Sequence, residues 1–411
     1  MNYDKSSSIS WKRNFAVIWS GQAASIFTSA VIQMALIWYL TDKTGSAAIL
    51  SLATLVGFLP QAILGPFIGV LIDRYDRKWI MIVADLVIAA FTLLLAAVGF
   101  FQGLPIWLIM VVLCFRSIAT AFHAPSLQAV TPLIVPKESL VSCAGYSQGV
   151  ESVSLLLSPA VAAIFYGVFD ISVILLLDIL GAAFAIFTIF MTHIPKLKRT
   201  DEEQIPNVIR EAKEGLAILH QQKGMTALIM MNAIYAIIYF PIGSLYPLIS
   251  MSYFGGTFRE SSVVEIVFSA GTLLGALALG KWGDKIEKIA TIIGAIIVMG
   301  IGLVLTGLLR PEQLMVFVVL AGIMGITIPF YHGVLMTIFQ TKIPEEYLGR
   351  VLSLSSSLSM IAMPIGLILA GTFADAIGVE KWFFVSGILT LVIALAFYLM
   401  PAVRGCCKEE S

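Results

Sequence analysis

Charge is scarce in this sequence. Only 12% of its 411 residues are Asp, Glu, Lys or Arg, and the mean hydropathy is +0.96, which excludes an ordinary soluble globular domain. The formal net charge is zero, which gives no reason to propose nucleic acid as a partner. Cysteine is rare as well. Cys114 and Cys143 fall in or near apolar runs and Cys406 and Cys407 lie in the tail, which gives neither zinc-ligand spacing nor a disulfide framework. The tail pair reads as incidental, with lipid attachment as the alternative. The four histidines, His123, His193, His220 and His332, form no H-E-x-x-H motif. The stretch GALALGKW, Gly275 to Trp282, begins like a phosphate-binding loop but ends in Trp where magnesium binding needs Ser or Thr. The expectation is a chain with no metal, no nucleotide cofactor and no enzymatic role.

What the sequence has in quantity is apolar length. Twelve runs, roughly 14–39, 47–72, 79–101, 105–124, 142–168, 171–192, 225–249, 262–280, 289–309, 314–338, 351–374 and 382–400, approach or exceed the ~20 residues that span ~30 Å of hydrocarbon. They are too long and too evenly apolar for barrel strands, so the expected fold class is an all-α membrane protein of twelve transmembrane helices. With the N-terminus inside, twenty Lys and Arg fall on the inner side, four (Lys43, Arg259, Arg310 and Lys381) fall outside, and Arg116 lies within a span. This asymmetry predicts a multi-pass membrane protein with both termini cytoplasmic. Basic residues precede the first run as in a secretory signal, but that run is long enough to span and is expected to stay uncleaved.

A hydrophilic stretch from His193 to Gly224 divides the spans six and six. The expected layout is a cytoplasmic N-terminus (1–13), a six-helix bundle (14–192), a linker (193–224), a second bundle (225–400) and a cytoplasmic tail (401–411). Within the linker, Ile205, Val208, Ile209, Ala212, Leu216 and Leu219 recur at helical spacing opposite charged residues, predicting an amphipathic surface helix. The halves also read as copies. FHAPSLQAVTPLIVPKESL from Phe122 and FYHGVLMTIFQTKIPEEYL from Phe330 share Phe, a Pro-acid pair and a final Leu at an offset of 208. Two pseudo-symmetric six-helix bundles facing a central cavity is one of the transporter architectures.

Charge bunches in GVLIDRYDRK, between spans two and three. The plain reading of Asp73, Arg74, Asp76, Arg77 and Lys78 is a solvated turn. The functional reading is a gate: Gly69 lets a neighbouring helix approach, and Asp73, Arg74, Arg77 and Lys78 form ion pairs that latch one side shut and break when it opens. This decapeptide resembles the loop 2-3 signature of the major facilitator superfamily, with a weaker copy at Gly280, Lys281, Gly283, Asp284 and Lys285. In span five, Gly145, Ser154, Ser158, Pro159, Ala162 and Ala163 match the spacing of that superfamily's drug-antiporter signature, with Ser and Ala in place of most of its glycines. Longer stretches, among them GQAASIFTSAVIQMALIWYLTDKTGSA, VGFLPQAILGPFIGVLIDR, RSIATAFHAPSLQAVTPLIVP and FPIGSLYPLISM, resemble the Mef-type macrolide-efflux transporters of Gram-positive bacteria. The similarity runs from about Trp11 to Leu399. It implies the major facilitator fold and proton-driven export of macrolide antibiotics across the plasma membrane by alternating access. The cargo would be small-molecule macrolides, the setting a lipid bilayer, and the energy source a proton gradient in place of a cofactor. An ATP-binding-cassette ribosome-protection protein acting in parallel is a further expected partner.

Buried ionisable residues are where coupling chemistry is expected. Arg116 in span four costs roughly 2.5–3.5 kcal/mol at mid-membrane depth and needs an acidic partner; the superfamily resemblance also implies a functional arginine in that span. Glu151 in span five has a similar depth and is the leading partner, with Asp178 in span six as the alternative proton carrier. The bland alternative is that the pair simply ties two helices together. Asp85 is expected to partner the loop charges, Glu265 to sit at the outer interface, and His123 and His332 to serve as hydrogen bonders near inner helix ends. Candidates for an apolar and aromatic macrolide wall are Gln22, Gln33, Asn232, Tyr235, Tyr239, Phe240, Phe330 and Tyr331; each could equally be a packing residue. Gly65 with Gly69 and Gly271 with Gly275 are read as helix contacts within a monomer. Two other readings stay open: a transporter of another amphipathic drug or nutrient on the same scaffold, and a membrane sensor or partner subunit that does not transport.

Overall fold

In a hydrocarbon medium every backbone N–H and C=O must be satisfied within its own segment, which favours helices for apolar runs of this length. The computed structural model describes residues 5–136, 139–194, 224–283, 287–343 and 345–400. Among them are twelve helices long and apolar enough to cross a membrane, and no strand. They are α1 (Lys5–Thr44), α2 (Ala47–Arg74), α3 (Arg77–Gln102), α4 (Ile106–Ile134), α5 (Leu140–Val168), α6 (Leu176–Met191), α7 (Met225–Leu248), α8 (Phe258–Trp282), α9 (Lys288–Leu308), α10 (Leu314–Lys342), α11 (Glu345–Ile377) and α12 (Val379–Leu399). A one-turn helix, Ile171–Ile174, leads into α6, and a π-helical turn, Ile249–Tyr253, ends α7. The linker helix expected around 205–219 and the tail lie outside the described residues.

Several of the sparse acids sit where helix starts need acceptors. Asp76 accepts from the Lys78 amide to start α3, Glu287 accepts from the Ala290 amide to start α9, and Thr257 with Glu260 closes a capping box on α8. Part of the charge bunched between spans two and three therefore has a local job.

The chain divides into two compact units, residues 1–40 with 53–204 and residues 41–52 with 205–411. In the first unit α3 packs along α4 and α6, and Phe91 stacks on Phe115 with centroids 4.0 Å apart. At one end of these helices Ile18, Met81, Ile82, Leu127, Val130 and Ile189 form a buried apolar cluster. Two glycines bring α1 onto α6. A Cβ on Gly181 would collide with the Thr28 hydroxyl, and one on Gly21 with Thr188, leaving it 3.0 Å from the Ala185 Cα.

In the second unit the same device is used on backbone. A Cβ on Gly271 or Gly275 of α8 would strike the carbonyls of Gly322 or Ile326 on α10, so this expected helix contact forms. Gly65 has nothing within 4 Å of a Cβ, and the surroundings of Gly69 lie outside the described side chains. Residues 41–52 belong here because Asp375 of α11 caps α2: its carboxylate accepts from the Ser46 hydroxyl at 2.6 Å and from the amides of Ala47 and Ala48 at 2.5 and 3.1 Å.

Candidate functional site

The first unit buries an ion pair. Arg116, about ten residues into α4, and Asp178, in the first turn of α6, are in direct contact through Nη1 and Oδ2. Their side chains are 11% and 1% exposed. The carboxylate is further held by the Ser29 hydroxyl of α1, donating at 2.7 Å, and by the Thr92 hydroxyl of α3, donating at 3.0 Å. Arg116 Nη1 also reaches Thr92 Oγ1 at 3.0 Å. Four helices thus converge on one carboxyl group. The approach of α1 at Gly181, one turn along α6 from Asp178, places Ser29 there.

The expected pairing of Arg116 with Glu151 is corrected. Glu151 is exposed, and its carboxylate accepts from Gln148, one turn earlier on its own helix, at 3.2 Å. The physical reason is packing order: α4 runs along α3 and barely touches α5. Asp85 also departs from expectation. It is 2% exposed and faces His123 of α4, with Oδ1 3.5 Å from Nε2, and not the loop charges. Lys78 instead donates to the Phe190 and Thr192 carbonyls at 3.1 and 2.8 Å, where a cation suits the negative end of α6. Arg77 donates to the Ala129 carbonyl at 2.9 Å. The side chains of Asp73 and Arg74 lie outside the described residues. Glu265 sits two turns inside α8 and is partly buried.

An open groove of about 630 Å³ runs between α1 and α5, lined among others by Ala23, Ala24, Phe27, Gly145, Tyr146 and Ser154. Gly145 and Ser154 of the antiporter-like motif therefore line it, and Ser154, like Ser158 and Pro159, is buried. Phe27 and Tyr146 were not singled out from the sequence; their chemistry is ordinary, and only the groove distinguishes them. Gln22 does not line it. That residue is fully buried, with both amide atoms unpaired within the protein, and Gln33 is partly buried. The motif G-Y-S-Q-G, Gly145 to Gly149, has the spacing of a hydrolase nucleophile turn, but that turn needs a strand-to-helix bend. Here it lies inside α5, with the Ser147 hydroxyl donating to the Cys143 carbonyl at 3.0 Å.

In the second unit the structure gathers most of the aromatic candidates. The Tyr331 hydroxyl donates to Asn232 Oδ1 at 2.8 Å, and Asn232 Nδ2 to the Ser359 hydroxyl at 3.2 Å. Tyr235 packs 4.6 Å from Tyr331 and stacks 5.6 Å from Tyr239, which lies 5.9 Å from Phe240. Asn232, Tyr235 and Tyr331 are buried, whereas Tyr239, Phe240 and Phe330 are partly exposed.

A family described as transmembrane secretion effector, of the major facilitator type, matches residues 8–408. The chain belongs to the major facilitator superfamily. It is a multi-pass membrane transporter and not an enzyme. It is 51% identical over 394 residues to macrolide efflux protein A of Streptococcus pyogenes, covering 96% of this chain and 97% of that one. To macrolide efflux protein A of Enterococcus faecalis it is 51% identical over 323 residues, 79% of this chain and all of that one. Among solved structures, a bacterial homolog of the human lysosomal transporter Spinster superposes with a TM-score of 0.72 at 16% identity, covering 96% and 97% of the two chains. In this superfamily member the buried pair and the groove therefore sit in a transport fold.

Proposed function

We propose that this chain is a drug-efflux transporter that exports macrolide antibiotics across the plasma membrane in exchange for protons, and so confers resistance. The cargo is inferred from the relatives named macrolide efflux protein A, half identical over nearly the full length. A large, mostly apolar drug suits a wide apolar groove such as that between α1 and α5. The basic residues crowd onto the side of the membrane that holds both termini, which supports a cytoplasmic location for them.

The observation that carries the coupling is the Arg116–Asp178 pair. Arg116 supplies the counter-charge of the Asp178 carboxylate; if α4 and α6 shift apart, a proton can take the place of the guanidinium. Asp178 can then load a proton in one conformation and release it in the other. One proton moving down about 100 mV supplies roughly 2.3 kcal/mol, equivalent to a drug gradient of about fiftyfold. The test is accumulation of labelled erythromycin in energised cells, with and without an uncoupler, for wild type and Asp178→Asn. Low accumulation that rises with the uncoupler in wild type only is expected; equal accumulation in both strains overturns the reading.

A further inference from the structure

Helix register places a second layer two turns below the ion pair, on the same four helices at a constant offset and polar on three of them. Seven residues separate Ser29 from Gln22 on α1, Thr92 from Asp85 on α3, Arg116 from His123 on α4, and Asp178 from Ala185 on α6. Seven residues are two helical turns, which returns each helix to the same face about 10 Å along the axis. The register is supported independently. Gly21 brings α1 against Ala185, and Asp85 meets His123. Ser25 and Thr120 fall between the layers on the stripes 22–25–29 of α1 and 116–120–123 of α4.

This lower layer is unsatisfied. Both amide atoms of Gln22, Asp85 Oδ2 and His123 Nε2 are buried and make no hydrogen bond within the protein; the one charged contact is His123 Nε2 to Asp85 Oδ1 at 3.5 Å. Buried polar atoms without partners are costly, and where several converge they ordinarily hold water or a proton. Nothing in ordinary packing calls for an acid, an imidazole and an amide here, since the next turn towards the basic end is the apolar cluster of Ile18, Met81 and Leu127. The other charged groups on these helices are accounted for or distant. Arg116 and Asp178 hold each other; Arg77 and Lys78 reach carbonyls at helix ends; Lys5, Lys12 and Arg13 lie in the first turns of α1, Asp42 and Lys43 in its last turn, and His193 lies beyond α6.

We propose that Gln22, Asp85 and His123 form a second proton-binding station, two turns from the Arg116–Asp178 pair, through which the coupling proton passes. The proton released from the Asp178 carboxyl is taken up on the Asp85 carboxylate or the His123 ring nitrogen, shared between them, and leaves towards the basic end when the apolar cluster parts. No bond other than those to hydrogen changes, and charge is conserved at each transfer. The inference rests on the antiport reading above and extends it to a route.

The experiment uses the full chain in proteoliposomes, with erythromycin as the probe and two readouts: uptake driven by an imposed pH gradient, and counterflow without a gradient. Asp85→Asn is expected to slow gradient-driven transport by about tenfold or more while leaving counterflow within about twofold of wild type. His123→Gln, which removes a proton acceptor from the station, is expected to slow gradient-driven transport severalfold and change its pH profile while leaving counterflow within about twofold of wild type. If Asp85→Asn loses counterflow through misfolding, His123→Gln, which keeps a neutral hydrogen-bonding side chain, carries the test alone. Wild-type rate and pH profile in the variants would overturn the station, as would equal losses of both readouts in His123→Gln. A wild type that shows counterflow but no gradient-driven uptake would instead sink the antiport reading, and the station with it.

Discussion

Replacing either member of the buried ion pair should be worse than replacing both. Asp178→Asn leaves the Arg116 guanidinium, 11% exposed, without its counter-charge, and Arg116→Gln leaves a carboxylate that is 1% exposed. Stranding one charge of a buried pair costs about 3–5 kcal/mol. Asparagine keeps an acceptor for Ser29 and Thr92, whose bonds to Asp178 are 2.7 and 3.0 Å, so the lower end, about 3 kcal/mol, is expected. The double variant strands no charge and should recover most of that, giving a coupling energy of about 2 kcal/mol or more. For a unit of this size 1 kcal/mol moves the unfolding midpoint by about 2–4 °C. Asp178→Asn should therefore melt about 6–12 °C below wild type in detergent, Arg116→Gln at least as far, and the double variant well above either. Strictly additive losses in the three variants would refute the reasoning, because they would mean that each side chain is satisfied by something other than its partner.

Other positions carry their own expectations. Glu151→Gln should leave the melting midpoint unchanged and energised erythromycin efflux within about twofold of wild type, since Glu151 is exposed and bonded only to its own helix. Gly275→Leu should cost about 1–3 kcal/mol or block folding, because its first side-chain atom meets the Ile326 carbonyl on α10; expression yield and thermal melting check this. Asp375→Ala should cost about 0.5–2 kcal/mol by uncapping α2, and Asp375→Asn, which can still accept from the Ala47 amide, should cost less in the same melting assay.

The membrane helices were plain in the sequence because the hydrocarbon core imposes a length and a composition that few other structures need. The need of Arg116 for an acid was also legible, since a lone guanidinium at that depth is too expensive. Which acid was not. Depth along a span can be counted from sequence, and by depth Glu151 was as good as Asp178. The choice depends on which helices touch, and that is set by small residues whose importance is invisible until the backbones meet: Gly181 under Thr28, Gly21 against Ala185. Thr92 and Ser29 escaped notice for the same reason, being unremarkable hydroxyls until α1 and α3 bring them to Asp178. The aromatic group around Tyr235 and Tyr331 was easier, because large rings near the middle of an apolar run have few other places to go. Its hydrogen-bonded end at Ser359 was not, since a serine among the several in α11 carries no mark.

The central claim is that Asp178 gives up a proton when drug is bound and exported. The most direct measurement is the proton released on adding erythromycin to purified protein in weakly buffered detergent solution, followed with a pH indicator. Wild type should release protons in proportion to drug bound, and Asp178→Asn, binding drug, should release none. Equal release from the two proteins would contradict the account.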